Sequence, residues 1–136
     1  MQVIIIGGGA SGLMAAITAA RNGHAVTLLE RQARVGRKLL ATGNGRCNLT
    51  NMNMTLPCYH GQSPEFIRPA FAALDRDATL DFFHGLGLLT VAEATGRVYP
   101  YSDQAGSVVD VLRFAADAAG VTTRTGFEVT GLKRTK

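Results

Sequence analysis

Cysteine is scarce in this chain: Cys47 and Cys58 are its two among 136 residues, and they form neither a Cys-x-x-Cys pair nor a zinc-ligand spacing. That argues against a disulfide framework and for a reduced chain of the bacterial cytoplasm. Long apolar runs are missing as well. The opening run ends at Gly7, far short of the ~18 residues of a membrane span, and no basic stretch of a secretory signal precedes it. Neither export nor membrane attachment is expected. The charge balance is modest, with 14 Lys and Arg against 10 Asp and Glu, a net +4. This favours anionic ligands but is too weak to mark a nucleic-acid binder. His24, His60 and His84 stand without a second ligand at metal spacing, so no metal is assigned. There is no internal repeat, low-complexity tract or heptad pattern.

What is present is a chain with 46% hydrophobic residues, enough for one α/β core. Residues 3–6 are a β-branched run bounded by glycine, read as a strand buried on both faces of a parallel sheet. Residues 10–22 switch to helix formers, with Ala15, Ala16, Ala19 and Ala20 keeping the helix slim and Gly23 as a left-handed cap. Residues 25–29 return to strand character and end on Glu30, completing a β-α-β unit whose crossover should be right-handed.

Residues 31–53 read as a long functional loop in which Leu39 and Leu40 make a short helical turn. Ser63-Pro64 offers a cap and first turn for a helix carrying Phe66, Ile67, Phe71 and Leu74 on one face, broken or kinked at Pro69. A second short helix is expected over 77–84. Residues 88–100 then read as two strands turning at Thr95-Gly96. Asp103 is the expected cap of an amphipathic helix over 104–119, carrying Val108, Val111, Leu112 and Ala115 and closed by Gly120. Residues 121–124 supply a third parallel strand and 127–132 begin another. The expected organisation is one Rossmann-like domain over 1–136, with 54–103 inserted between its second and third parallel strands.

The segment GGGASG fits Gly-x-Gly-x-x-Gly through Gly7, Gly9 and Gly12. Such a pattern gains meaning from its place between a strand and a helix. Gly7 makes the tight turn, Gly9 lets a pyrophosphate approach the backbone, and Gly12 lets helix and strand pack closely; Ala10 and Ser11 open the helix whose N-terminus faces the anion. Glu30 stands 18 residues beyond Gly12, where a carboxylate accepts hydrogen bonds from ribose hydroxyls and repels a 2′-phosphate. A P-loop is excluded, since no Gly-Lys-Ser/Thr follows. Ser11 does not sit in Gly-x-Ser-x-Gly and has no identifiable base.

The stretch RQARVGRKLLATGNGRCNLTN holds Arg31, Arg34, Arg37, Lys38 and Arg46 without an acidic residue. Gly36, Gly43 and Gly45 allow backbone amides to turn inward as anion nests. NAD needs one βαβ unit for its AMP half, whereas FAD needs further loops beyond the ribose carboxylate. A second glycine-rich basic loop therefore favours FAD.

On GGGASGLMAA, GRKLLATGNGRCNLTN and GRVYPYSDQAGSVVDVL, the sequence resembles the bacterial BaiN-like flavoproteins, NAD(P)/FAD-dependent and aminoacetone oxidase-like oxidoreductases. The resemblance implies an FAD domain interrupted later in a longer chain by a substrate domain, of which this is an N-terminal portion. It implies that Gly7, Gly9, Ser11 and Gly12 lie at the pyrophosphate and Glu30 at the adenosine ribose, with Ala10 and Arg31 among the cofactor-binding residues. It places Arg37, Lys38, Thr42, Gly43, Gly45, Arg46, Cys47 and Asn48 along the pyrophosphate, ribityl and flavin side. Val129, on the last strand, would offer its backbone to adenine, or fill the core as an ordinary strand valine. The implied activity is hydride transfer through FAD between NAD(P)H or substrate and a small organic acceptor, with no nucleic-acid partner. Two alternatives stay open: a nucleotide-binding module without turnover, and a flavin-dependent RNA-modifying enzyme. No catalytic acid or base is nominated. Cys47 is read as packing rather than as a redox partner of the ring. Tyr99 and Tyr101, on either side of Pro100, are read as packing rather than pocket lining.

Overall fold

The computed structural model describes residues 1–134. The end of the expected domain range, residues 135 and 136, lies outside them. The elements in chain order are β1 (Gln2–Ile6), α1 (Ala10–Arg21), β2 (Ala25–Glu30), α2 (Arg37–Ala41), β3 (Thr50–Asn51), α3 (Arg68–Ala73), α4 (Arg76–Gly85), β4 (Thr90–Ala92), β5 (Arg97–Pro100), α5 (Ala105–Ala118) and β6 (Thr122–Thr125). β2 is central in a parallel sheet of order β1-β2-β6, with Ile5 opposite Leu28 and Leu29 opposite Arg124. β3, β5 and β4 form a separate antiparallel sheet in that order. The Rossmann-like α/β reading and the third parallel strand are therefore present, and the hairpin falls where it was expected.

The core follows from the two periodicities. Val26 and Leu28 point to one face of the parallel sheet, and there they meet Leu13, Ala16 and Ile17 of α1 and Val108, Leu112 and Ala116 of α5, all buried. Alanine at 16 lets α1 lie close to the sheet, and burial of these side chains is the main term holding the layers together. Gly23 and Gly120 close α1 and α5 in the left-handed region, as read from the sequence.

Several expectations need correction. Residues 3–6 are not covered on both faces: Val3 and Ile5 face the core, whereas Ile4 and Ile6 are 60% and 53% exposed. At β1 that second face is left largely open. Residues 127–132 form no strand; two amides bond back along β2, Gly126 to the Gln32 carbonyl and Phe127 to that of Glu30, and the ladder goes no further. Val129 thus lies past the last strand, half-buried.

In the inserted block, Ser63 makes no side-chain cap, and a 3₁₀ turn over Pro64–Ile67 precedes α3. Pro69 sits in the first turn of α3, where its missing N–H costs nothing, so it starts the helix rather than breaking it. Phe66, expected to share one helical face with Ile67, Phe71 and Leu74, is 87% exposed and lies in the 3₁₀ turn. Asp103 does not cap α5. Gln104 occupies that position, and Asp103 takes a left-handed conformation with its carboxylate turned elsewhere.

Candidate cofactor site

The turn after β1 is built around one contact. A Cβ on Gly12 would lie 1.8 Å from the Gly7 carbonyl oxygen, so glycine alone lets α1 rise this close above the turn. Gly8 is buried against Val35, and its N–H donates to Glu30 Oε2 at 2.7 Å. The other Glu30 oxygen, Oε1, accepts from the Gln32 N–H at 2.8 Å. Gly9 differs from Gly8 and Gly12: a Cβ there would meet nothing within 4 Å. It occupies the N-cap position of α1, which has neither a side-chain cap nor an acidic residue in its first turn. The amides at Ala10, Ser11 and Gly12 therefore open an uncapped, positively polarised helix N-terminus.

Gly9 also lines a cleft of about 460 Å³, together with Gly8, Glu30, Arg31, Gln32, Arg37, Lys38 and Ala41. Arg31, Arg37 and Lys38 are exposed, and Arg37 is bonded to the uncharged Gln32 at 2.7 Å. An open spot over glycine, an uncapped helix N-terminus and three cations fit a pyrophosphate; a carboxylate with its own lone pairs still turned to the cleft fits a ribose. The residues present thus fit the AMP half of a dinucleotide.

The second glycine-rich loop is placed differently. Thr42, Gly43 and Gly45 lie in an exposed turn, with the Thr42 hydroxyl donating to the Leu39 carbonyl at 2.7 Å. Gly43, Asn44, Gly45 and Cys47 all have positive φ, between 54° and 85°. Arg46 lies over the Tyr99 ring at 3.8 Å, donates through Nη2 to Glu93 at 2.7 Å and through Nε to Asp103. Those two hydrogen bonds raise its pKa above the already high guanidinium value. Cys47 is buried, and burial pushes its thiol up. The Asn48 amide, oriented by the carbonyls around it, donates to Thr50 O at 2.8 Å and Val98 O at 3.2 Å. Arg46 and Asn48 therefore fasten the turn to the small antiparallel sheet, while Cys47 packs into the core.

The structure thus gathers Gly9, Glu30, Arg31, Arg37 and Lys38 in one cleft beside Ala10, Ser11 and Gly12. It leaves Gly7, Ala10, Ser11 and Gly12, and with them Thr42, Gly43, Gly45, Arg46, Cys47, Asn48 and Val129, outside that cleft's lining. Sequence reasoning passed over Gly8 and Gln32, whose amides hold Glu30; the middle glycine of GGG was the available signal for the first. Partners 47 and 57 residues from Arg46 left no local signal at all.

A parallel β-α-β unit with a glycine turn beneath a helix N-terminus and a carboxylate closing the second strand defines a Rossmann-type dinucleotide-binding domain. The chain belongs to the family described as the HI0933-like protein Rossmann domain, whose model matches residues 1–136. It is 50% identical over 134 residues to a 3-dehydro-bile acid delta(4,6)-reductase of Clostridium scindens, covering 97% of this chain and 32% of that relative. It is 32% identical over 128 residues to a ribosomal RNA dihydrouridine synthase of Escherichia coli, covering 94% of this chain and again 32% of the relative. The chain therefore spans about a third of the length of these proteins. Among solved structures, THI4 of Thermovibrio ammonificans shares the fold, with a TM-score of 0.63 at 19% identity over 91% of this chain and 38% of that one.

Proposed function

We propose that this chain supplies the FAD-binding region of a flavin-dependent reductase. The observation that carries the reading is the cleft where Gly9, the free N-terminus of α1 and Glu30 converge. Bound there, FAD supplies hydride chemistry. The chain's own residues hold the cofactor. Glu30 accepts from the ribose while keeping its bonds to Gly8 and Gln32, and the α1 amides with Arg31, Arg37 and Lys38 neutralise the pyrophosphate.

The names of the two relatives narrow the acceptor. A 3-dehydro bile acid with Δ4,6 double bonds presents carbon–carbon double bonds conjugated to a carbonyl, and dihydrouridine is uridine with such a bond saturated. An acceptor with a carbonyl-conjugated double bond fits both. In the balanced reaction NAD(P)H provides a hydride and is oxidised to NAD(P)⁺, a proton is taken up, and the double bond becomes single. The higher identity to the bile-acid enzyme favours a small, steroid-like acceptor. The ribosomal RNA relative supports RNA as the second reading. The two free thiols suit a reducing cytoplasm.

The test is the nucleotide released when the intact protein is denatured, which should be FAD; NAD alone would refute the reading. Glu30→Gln leaves one acceptor and sets an NH₂ against a backbone N–H, so affinity for FAD should fall by about tenfold or more. Unchanged affinity would remove Glu30 from the ribose. NAD(P)H oxidation driven by a conjugated steroid ketone, rather than by ribosomal RNA, separates the two readings.

A further inference from the structure

The turn over residues 43–47 is an unusual piece of backbone. Asn44 and Cys47 are non-glycine residues at φ 55° and 63°, flanked by Gly43 and Gly45, which are also left-handed. Such a conformation persists only where its surroundings over-determine it. Here they do. The Cys47 N–H donates to the Thr42 carbonyl at 3.0 Å, and the Leu49 N–H to the Val98 carbonyl at 2.8 Å. A Cβ on Gly43 would touch the Tyr99 ring at 3.1 Å, so the turn lies directly against that ring. On the same ring lies the Arg46 guanidinium, bonded to Glu93 after β4 and to Asp103 ahead of α5.

We propose that Arg46 is a positioning residue that clamps the 43–47 turn to Tyr99, Glu93 and Asp103 and so fixes that turn's backbone for the flavin half of the dinucleotide. The proposal rests on the FAD reading above. Charge separates it from direct contact with the cofactor. One guanidinium between two carboxylates leaves a local net charge of −1, and the ring covers one face of the cation. An incoming phosphate would meet a net negative cluster. The cations of the cleft are placed otherwise, with Arg37 bonded only to an uncharged amide. Asp103 is held at φ 58°, so the same network also sets the entry to α5 and joins three segments far apart in sequence.

The two roles predict opposite signs. In the intact protein, the double variant Glu93→Met, Asp103→Gly removes both acceptors of the clamp, suits the left-handed backbone at 103, and leaves Arg46 in place. Clamping predicts that exchange of the Cys47 amide in the cofactor-free protein accelerates by about tenfold or more. It also predicts that FAD affinity falls by a similar factor and that the flavin absorption and circular dichroism bands shift. Arg46→Met should reproduce these changes, and combining it with the double variant should add nothing further. Arg46→Lys, which keeps the charge but not the stacked two-bond geometry, should restore little. Direct contact predicts that freeing Arg46 from its carboxylates tightens FAD binding and that lysine substitutes well; either result would overturn the proposal. If Arg46→Met fails to fold, the double variant decides alone. Unaltered exchange refutes the clamp while leaving the flavin reading intact, whereas an intact protein holding no FAD refutes the flavin reading and the positioning role with it.

Discussion

Replacing Gly9 by alanine adds a methyl group that touches no protein atom within 4 Å, at φ −83° and ψ −168°, a conformation open to alanine. Alanine is a poorer N-cap than glycine by about 0.5–1 kcal/mol, but it also restricts the unfolded chain by about 0.4–1 kcal/mol, so the net effect on stability should lie near zero. On the reading proposed above, the methyl stands where the pyrophosphate approaches the backbone. Losing one charge-assisted hydrogen bond from an α1 amide costs about 1.5–3 kcal/mol, which is roughly 10- to 150-fold in affinity. Gly12→Ala behaves in the opposite way. Its Cβ would fall 1.8 Å from the Gly7 carbonyl oxygen and 3.0 Å from the Gly7 carbonyl carbon. Backbone cannot yield there without lifting α1 from the sheet, at about 3 kcal/mol or more. Thermal unfolding and flavin-fluorescence titration of the intact protein, run on both variants, separate the effects. Wild-type FAD affinity in Gly9→Ala would refute the placement of the pyrophosphate. A large loss of stability in Gly9→Ala would refute the claim that the space is empty of protein.

Asp75→Ala removes the carboxylate that accepts from the Ala78 N–H at 2.9 Å and caps α4; it should cost about 1 kcal/mol and lower Tm by roughly 4 °C in thermal unfolding. The two thiols should separate in a thiol-reagent titration. Cys58 is exposed, and hydrogen bonding to Thr55 lowers its pKa, so it reacts at once, whereas buried Cys47 reacts only on unfolding. Because burial raises the folded-state pKa of Cys47, its contribution to stability is complete below the ordinary thiol value of about 8.5 and declines as pH rises through the higher folded value. Denaturant unfolding between neutral and alkaline pH should show that decline, and Cys47→Ala should flatten it.

β1, α1 and β2 were legible because their signals are local: a β-branched run, an alanine-rich face, and a carboxylate at the end of the next strand. The hairpin turning at Thr95-Gly96 and the apolar face of α5 were legible for the same reason. What escaped depends on neighbours distant in the chain. Ile4 and Val3 look alike in sequence, yet they differ in exposure because helices cover one face of the sheet only. Asp103 precedes a helix as a cap should, but Arg46 draws its carboxylate away. The basic loop shows this most clearly. Its five cations looked equivalent, and the fold divides them: Arg31, Arg37 and Lys38 line the cleft, Arg34 lies exposed outside it, and Arg46 is taken up by a ring and two carboxylates.

The paired bonds of Glu30 bear on how a ligand is selected. With both oxygens already tied to the Gly8 and Gln32 amides, the side chain has surrendered its rotamer freedom, about 1.5–2 kcal/mol, when the protein folds rather than when a ligand arrives. The carboxylate cannot swing aside to admit a ribose that carries an extra phosphate. On the dinucleotide reading proposed above, discrimination against 2′-phosphorylated nucleotides is therefore set before any encounter, as a fixed charge at a fixed place, and needs no rearrangement to take effect.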